Sequence, residues 1–179
     1  PRANSTGYML QRDHLFDWRT IEQNALLGLE VKKRLNAETH AYAAELLDRY
    51  GLGAFKDYYP RQLSGGMKQK AALIRTLAFS PELLVLDDPF SALDRKTEEE
   101  VFANLRKFTA DSIVILLSHR LYMFPQMDQV LWMEDGKVTA GTHEQILEKF
   151  PEYARLYEAQ ADGADAHNTQ EGGPDHAEK

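Results

Sequence analysis

Two segments constrain this chain more than anything else in it: Leu63-Ser64-Gly65-Gly66-Met67-Lys68-Gln69-Lys70, and the apolar run Leu83-Leu84-Val85-Leu86, which ends in Asp87-Asp88-Pro89. In the first, paired glycines let backbone approach an anion closely. A helix starting there leaves its first N–H groups unpaired and points its positive dipole end the same way. Taken alone, Ser-Gly-Gly is better read as a plain N-cap with flexible glycines. In the second, a continuous apolar run reads as a strand buried on both faces of a parallel sheet. Acids just past it lie at the carboxyl edge, where ligands bind in open α/β folds. Two solvated acids capping the next turn fit the dipeptide as well.

The rest of the chain supplies the setting. Gly7-Tyr8-Met9-Leu10-Gln11 reads as the end of a strand, and residues 12–62 are mostly helical. One helix is expected over Thr20–Leu29. A second starts at Asn36, a good N-cap, with Ala43, Leu46, Leu47 and Tyr50 on one face and Gly51 in a left-handed cap. The helix opened by Ser64 carries Met67, Ala71, Ile74 and Ala78 on one side, and Pro81 marks its end. Beyond it, Ile113–Leu117 and Val130–Met133 are further apolar runs of the doubly buried type. They alternate with helices over Lys96–Thr109 and Leu121–Met127, which implies α/β layering. Glu134-Asp135-Gly136-Lys137 is a type I′ turn that pairs Trp132 with Val138. Closing helices follow over Thr142–Phe150 and Glu152–Gln160, with Pro151 at an N1 position.

Charge and composition narrow the function classes. The net charge is −7; residues 161–179 carry −4 of it and the other 160 residues −3. Neither part offers a basic field for nucleic acid. The 161–179 stretch has no aromatic residue and no Leu, Ile or Val, so it is expected to be a disordered acidic tail. The longest apolar runs are strand-sized, and the first residues lack the apolar segment of a signal peptide. There is no cysteine, hence no disulfide or thiolate chemistry.

Two further residues gain weight from their position. His119 closes a strand, where a neutral imidazole can orient a water against a phosphate, although a lone histidine at a strand end is more often structural. Gln11, alone, carries almost no weight. Order and spacing decide. Gln11 follows a strand; then come a helical stretch, Leu63–Gln69, Asp87-Asp88, Ser91-Ala92-Leu93-Asp94 and Ser118-His119. This sequence of parts resembles the Q-loop, helical subdomain, signature motif, Walker B segment, D-loop and H-loop of ATP-binding cassette (ABC) ATPases, over nearly all of residues 7–160.

The resemblance implies a fold, a reaction and partners. The fold is α/β, a partial parallel-sheet P-loop NTPase core with an inserted helical subdomain. Residues 1–11 would be a remnant of the core sheet, 12–80 the helical subdomain, 81–160 the C-terminal part of the core and 161–179 the tail. Cofactors would be ATP and Mg²⁺, with no structural metal. Asp87 and Gln11 would serve the Mg²⁺; Asp88 would face the attacking water and His119 would assist it. Ser64, Gly65, Gly66 and Gln69 would contact an ATP bound by a second ABC ATPase domain, with Asp94 in the interface. A transmembrane permease domain or subunit would dock near Leu15–Thr20, where Phe16 and Trp18 could fill a groove. The expected setting is the cytoplasmic face of a membrane.

Two departures from the family pattern matter. No G-x-x-x-x-G-K-[ST] loop, the Walker A motif, occurs in these residues, and the chain does not start with Met. The expectation is therefore an N-terminally truncated domain that is inactive alone. Second, the family's usual Glu after the Walker B Asp is Asp88 here, which retracts the carboxylate by about 1.5 Å. Subtype features are mixed: Trp18-Arg19-Thr20 and Asp88–Asp94 look importer-like, while Ser118–Leu121, Gly141–Glu144 and Tyr153–Tyr157 look exporter-like. The alternatives are a soluble non-transport ABC ATPase and a regulatory module that binds nucleotide and barely hydrolyses it.

Overall fold

The computed structural model describes residues 6–168, and the chain divides into two compact units after Ser118. The first is built on three parallel strands in the order β1 (Thr6–Met9), β2 (Leu83–Asp87), β3 (Ile113–Leu117). Their register sets Met9 beside Leu86 and Asp87 beside Leu117. The connection from β1 to β2 carries three helices, α1 (Ile21–Val31), α2 (Ala37–Arg49) and α3 (Gly65–Leu77); α4 (Arg95–Phe108) joins β2 to β3.

Local chemistry starts and stops these helices. Thr20 caps α1 in a reciprocal box with Gln23: its Oγ accepts from the Gln23 N–H and the Gln23 Oε1 accepts from its own N–H. Asn36 does the same for α2 with Thr39. Gly51, after α2, has φ +73°, the left-handed turn that a side chain resists. Helix α3 is the hub. Ala71, Ala72, Leu73, Ile74 and Leu77 are buried, and the helix packs against α1, α2 and β1. Gly7 permits the close approach to β1: a Cβ there would lie 2.9 Å from the Thr76 methyl and 3.0 Å from Pro81.

The sheet is covered on one face. Met9, Leu84 and Leu86 are fully buried, whereas Tyr8, Ile113, Ile115 and Leu117 are exposed, Ile113 at 69%. Residues paired across the strands point the same way, so Tyr8, Ile115 and their neighbours form one apolar face. The expectation of burial on both faces thus fails for β3, because a continuous apolar run states that a strand can be covered on both sides without supplying the cover.

The second unit opens with a 3-10 turn (Leu121–Gln126). A hairpin of β4 (Val130–Glu134) and β5 (Lys137–Gly141) follows, then α5 (His143–Lys149) and α6 (Pro151–Asn168). Its core is Leu121, Val130, Ile146 and Tyr153, with Phe124, Trp132, Phe150 and Tyr157 packed around it. Asp135 and Gly136 both have positive φ, the expected type I′ turn. Three expectations are corrected here. The Val130–Met133 run is antiparallel in a two-stranded ribbon with Leu131 and Met133 exposed, and is not a doubly buried parallel strand. The register is one residue from that expected: Trp132 pairs with Thr139, and Met133 with Val138, because the two-residue turn makes Glu134 and Lys137 the closing pair. The backbone of residues 161–168 is helical as the end of α6, where a disordered tail is expected. The rest of that tail lies outside the described residues.

Candidate functional site

The three parallel strands release the chain at the same edge. Gln11 lies two residues past the end of β1, Asp87 is the last residue of β2, and Ser118-His119 follow β3. Asp87 and Asp88 are half-buried and Gln11 is exposed. Asp88 has φ +44°, a left-handed backbone that Asp tolerates better than most residues and that turns the chain sharply off the strand. The turn is held at both ends: the Asp88 N–H donates to the Leu117 carbonyl at 2.8 Å, and the Ser91 N–H donates to the Asp88 carbonyl at 3.3 Å. The carboxylate of Asp87 and the amide oxygen of Gln11 are hard oxygen donors at the ends of adjacent strands. That donor set suits Mg²⁺, which is held through few protein ligands and keeps waters and phosphate oxygens.

The N-terminus of α3 lies against the loop that follows Asp88. Ser64 caps the helix, its Oγ accepting from the Met67 N–H at 3.3 Å. Ser64 and Gly65 are exposed, and Gly66 is half-buried. The two glycines differ. A Cβ on Gly65 would meet only the Ala92 Cβ, at 3.6 Å; one on Gly66 would lie 3.0 Å from the Ala92 carbonyl oxygen and 2.9 Å from Leu93. Gly66 therefore has a packing reason to be glycine inside this chain. Gly65 meets no such demand within the chain, and its position has room for a side chain.

Gln69, grouped with Ser64–Gly66 by sequence, is turned inward. It is 6% exposed, and its amide is engaged by Ser91 and by the Ala92 backbone. Five residues past the cap, it lies beyond the free N–H groups of the first turn and on the face that packs the loop. Asp94 caps α4: Oδ1 accepts from the Thr97 N–H at 2.9 Å and Oδ2 from the Thr97 hydroxyl at 2.7 Å. Those bonds, the backbone one first, hold its carboxyl below the usual range although it is exposed. His119 is exposed and opens the second unit, where its carbonyl accepts from Gln160 Nε2 at 2.7 Å.

Two positioning groups were missed in the sequence. The Arg75 guanidinium, on α3, donates to the His14 carbonyl at 2.6 Å and the Asp13 carbonyl at 2.8 Å. Burial lowers its pKa, and Asp13 opposes that. Asn24, fully buried, accepts from the Phe16 N–H and donates to the carbonyls of Phe16, Arg19 and Thr20. Together they pin the segment after Gln11. On that segment Phe16 stacks on Trp18 with ring centroids 4.8 Å apart, and Trp18 is 72% exposed. A groove of about 820 Å³ between α2 and the ends of α1 and α3, lined by Leu29, Tyr42 and Phe79 among others, includes none of the candidate site residues Gln11, Ser64–Gly66, Gln69, Asp87, Asp88, Asp94 or His119.

Comparison with known proteins bears on this arrangement. A model of the ABC transporter family matches residues 2–91. An ABC transporter ATP-binding protein of Bacillus subtilis, YtlC, is 47% identical over 118 residues, 64% of this chain and 45% of that protein. The sulfate/thiosulfate import ATP-binding protein CysA of Synechocystis is 38% identical over 151 residues, 82% of this chain and 42% of its own length. The arginine transport ATP-binding protein ArgV of Corynebacterium glutamicum is also 38% identical over 82% of this chain, and 59% of ArgV is covered. Among solved structures, a bacterial Atm1-family ABC exporter with ATP bound superposes with a TM-score of 0.76 at 26% identity, over 88% of this chain and 29% of the exporter chain. The chain thus spans about half the length of the curated relatives it matches.

Proposed function

The chain belongs to the ABC transporter family of ATP-binding domains, and we propose that it forms the signature-bearing part of a transporter's nucleotide-binding subunit, coupling ATP binding and hydrolysis to transport. The observation that carries this reading is the seating of the capped, glycine-lined start of α3 against the loop that leaves β2 through Asp87-Asp88. An anion-binding helix end and a pair of strand-end carboxylates on one framework suit phosphate recognition and phosphoryl transfer.

The roles follow from chemistry. Ser64 and the amides of Gly65 and Gly66 would grip the γ-phosphate of an ATP held by a second ABC domain. Asp87, with Gln11, would hold Mg²⁺, which when bound neutralises phosphate charge. Asp88 would accept the proton of the attacking water as general base. His119 would hold that water in line through its imidazole. Asp94, ordered as a helix cap, would face the second domain. A membrane subunit would dock on the segment pinned by Arg75 and Asn24, with Trp18 as its aromatic anchor. That assembly would stand at the cytoplasmic face of a membrane; no helix among the described residues is long and apolar enough to cross one. Among the named relatives CysA is an import protein, and the superposed structure is an exporter, so both subtypes stay open. Acidic surface charge speaks against nucleic acid as a partner.

These residues contain no Walker A loop, so the chain by itself should hold ATP weakly. The test is steady-state ATPase of the complete domain, Walker A loop included. Asp87→Asn should abolish Mg²⁺-dependent turnover, and parental turnover in that variant would contradict the reading.

A further inference from the structure

Gln69 makes two hydrogen bonds that leave its amide no freedom. The Ala92 N–H donates to Oε1 at 2.8 Å, and Nε2 donates to Ser91 Oγ at 2.5 Å. Of the two ends of an amide only the oxygen can accept from a backbone N–H, so the first bond fixes which end is which and commits the NH₂ group to Ser91. The side chain is 6% exposed, and both partners lie in the loop between Asp88 and Asp94, more than twenty residues away in sequence. Gly66 closes the same contact from the other side, with room for no Cβ against Ala92 and Leu93.

We propose that Gln69 is a positioning residue that locks the 88–94 loop to the first turns of α3, so that the anion-facing amides of Gly65–Gly66 and the carboxylates of Asp88 and Asp94 are set as one rigid unit. A phosphate gripped at the start of α3 then fixes the loop that carries the base for hydrolysis and the residue facing the second domain. Phe90 is buried with its ring edge-on to Phe102 of α4, and the ends of the loop are held by the Asp88 N–H on Leu117 and by the Asp94 cap of α4. Between them the Gln69 amide holds the middle. This inference rests on the proposed role of residues 63–94, but the lock itself is a property of the chain and can be measured without nucleotide.

Amide hydrogen exchange on the chain tests the lock. Gln69→Leu removes both bonds at nearly constant volume and should speed exchange of the Ala92 N–H, and of the 88–94 loop generally, about five- to tenfold. Exchange within α1 and α2 should stay at the parental rate. Gln69→Glu keeps an acceptor for Ala92 and should recover most of that protection. Should Gln69→Leu fail to fold, Ser91→Ala, which removes one bond at the surface, should speed loop exchange in the same place by a smaller factor. Unchanged loop exchange, or a uniform rise across the whole chain, overturns the lock. In the complete domain, Gln69→Leu should lower kcat severalfold with the KM for ATP unchanged. Normal kcat beside a loosened loop would overturn the coupling while leaving the ATPase reading intact; loss of turnover in the parent's own Asp87 control alone bears on the latter.

Discussion

Gly66 approaches Ala92 so closely that a Cβ on it would lie 3.0 Å from the Ala92 carbonyl oxygen, while the same atom on Gly65 would have its nearest neighbour at 3.6 Å. Two adjacent glycines therefore answer to different constraints. Gly66→Ala should push the 88–94 loop off α3 and destabilise the chain by about 1–3 kcal/mol, the usual range for overpacking. Gly65→Ala should change stability by less than about 0.5 kcal/mol, as a surface substitution does. Urea denaturation of both variants decides it; equal costs would remove the distinction.

Asp88→Glu should raise ATP turnover in the complete domain. In the proposed role the longer acid would reach a water that Asp88 would approach less closely, and general-base catalysis is worth about 10²–10⁴-fold when well placed, so a gain toward the lower end is expected. The left-handed backbone at φ +44° adds a cost of about 1 kcal/mol for the less tolerant Glu, seen as a small drop in stability. Steady-state assays showing unchanged or lower turnover would mean that Asp88 is already in place.

Arg75→Ala should cost about 2–3 kcal/mol, because a partly buried guanidinium loses two charge-assisted bonds to the carbonyls of Asp13 and His14. Lysine cannot reproduce the fork, so Arg75→Lys should recover less than half. Denaturant midpoints of the three proteins give the comparison. Parental stability of Arg75→Ala would show that the segment after Gln11 is held by Asn24 alone.

The second unit should lose stability in strong base. Burial first, then Tyr157 and Glu144, push the Tyr153 phenol up to about 12, and its hydroxyl lies 2.8 Å from His143 Nδ1. Below pH about 10 the phenol is neutral folded or unfolded, and the contribution is complete. As pH rises further, the unfolded chain releases a proton that the folded unit retains, so stability falls through the folded value near 12. Tyr153→Phe keeps the ring against Trp132 and His143 but removes this slope. Urea melts at about pH 9 and about pH 11 should show a smaller difference for Phe than for Tyr; identical slopes would assign the effect elsewhere.

The local signals were legible because each has a local cause. Asn36, Gly51 and Ser64 name their helix ends by side-chain capping and backbone freedom, and Asp135-Gly136 names its turn. The order of Gln11, Ser64–Gly66, Asp87-Asp88 and His119 is visible because it is linear. What stayed hidden is non-local. Arg75 meets Asp13 and His14 some sixty residues away, and no periodicity encodes such a pair. Gln69 looks like part of the glycine motif until its face of the helix is known. The Val130–Met133 run and β3 share an apolar texture with β2, yet differ in what lies on them, which composition cannot state.

If Ser64–Gly66 grip the γ-phosphate of an ATP bound by a second domain, ATP should drive two such domains together. Size-exclusion chromatography of the complete domain with and without ATP, beside an ATP-binding measurement, tests it most directly. Gly65→Asp places a carboxylate where the helix dipole and free amides would receive phosphate, at a position with room for a side chain within the chain itself. His119→Ala serves as the control that should still dimerise but hydrolyse slowly. Gly65→Asp should bind ATP as the parent does and stay monomeric; an ATP-driven dimer of Gly65→Asp equal to the parent's would show that Ser64–Gly66 do not grip a second domain's ATP.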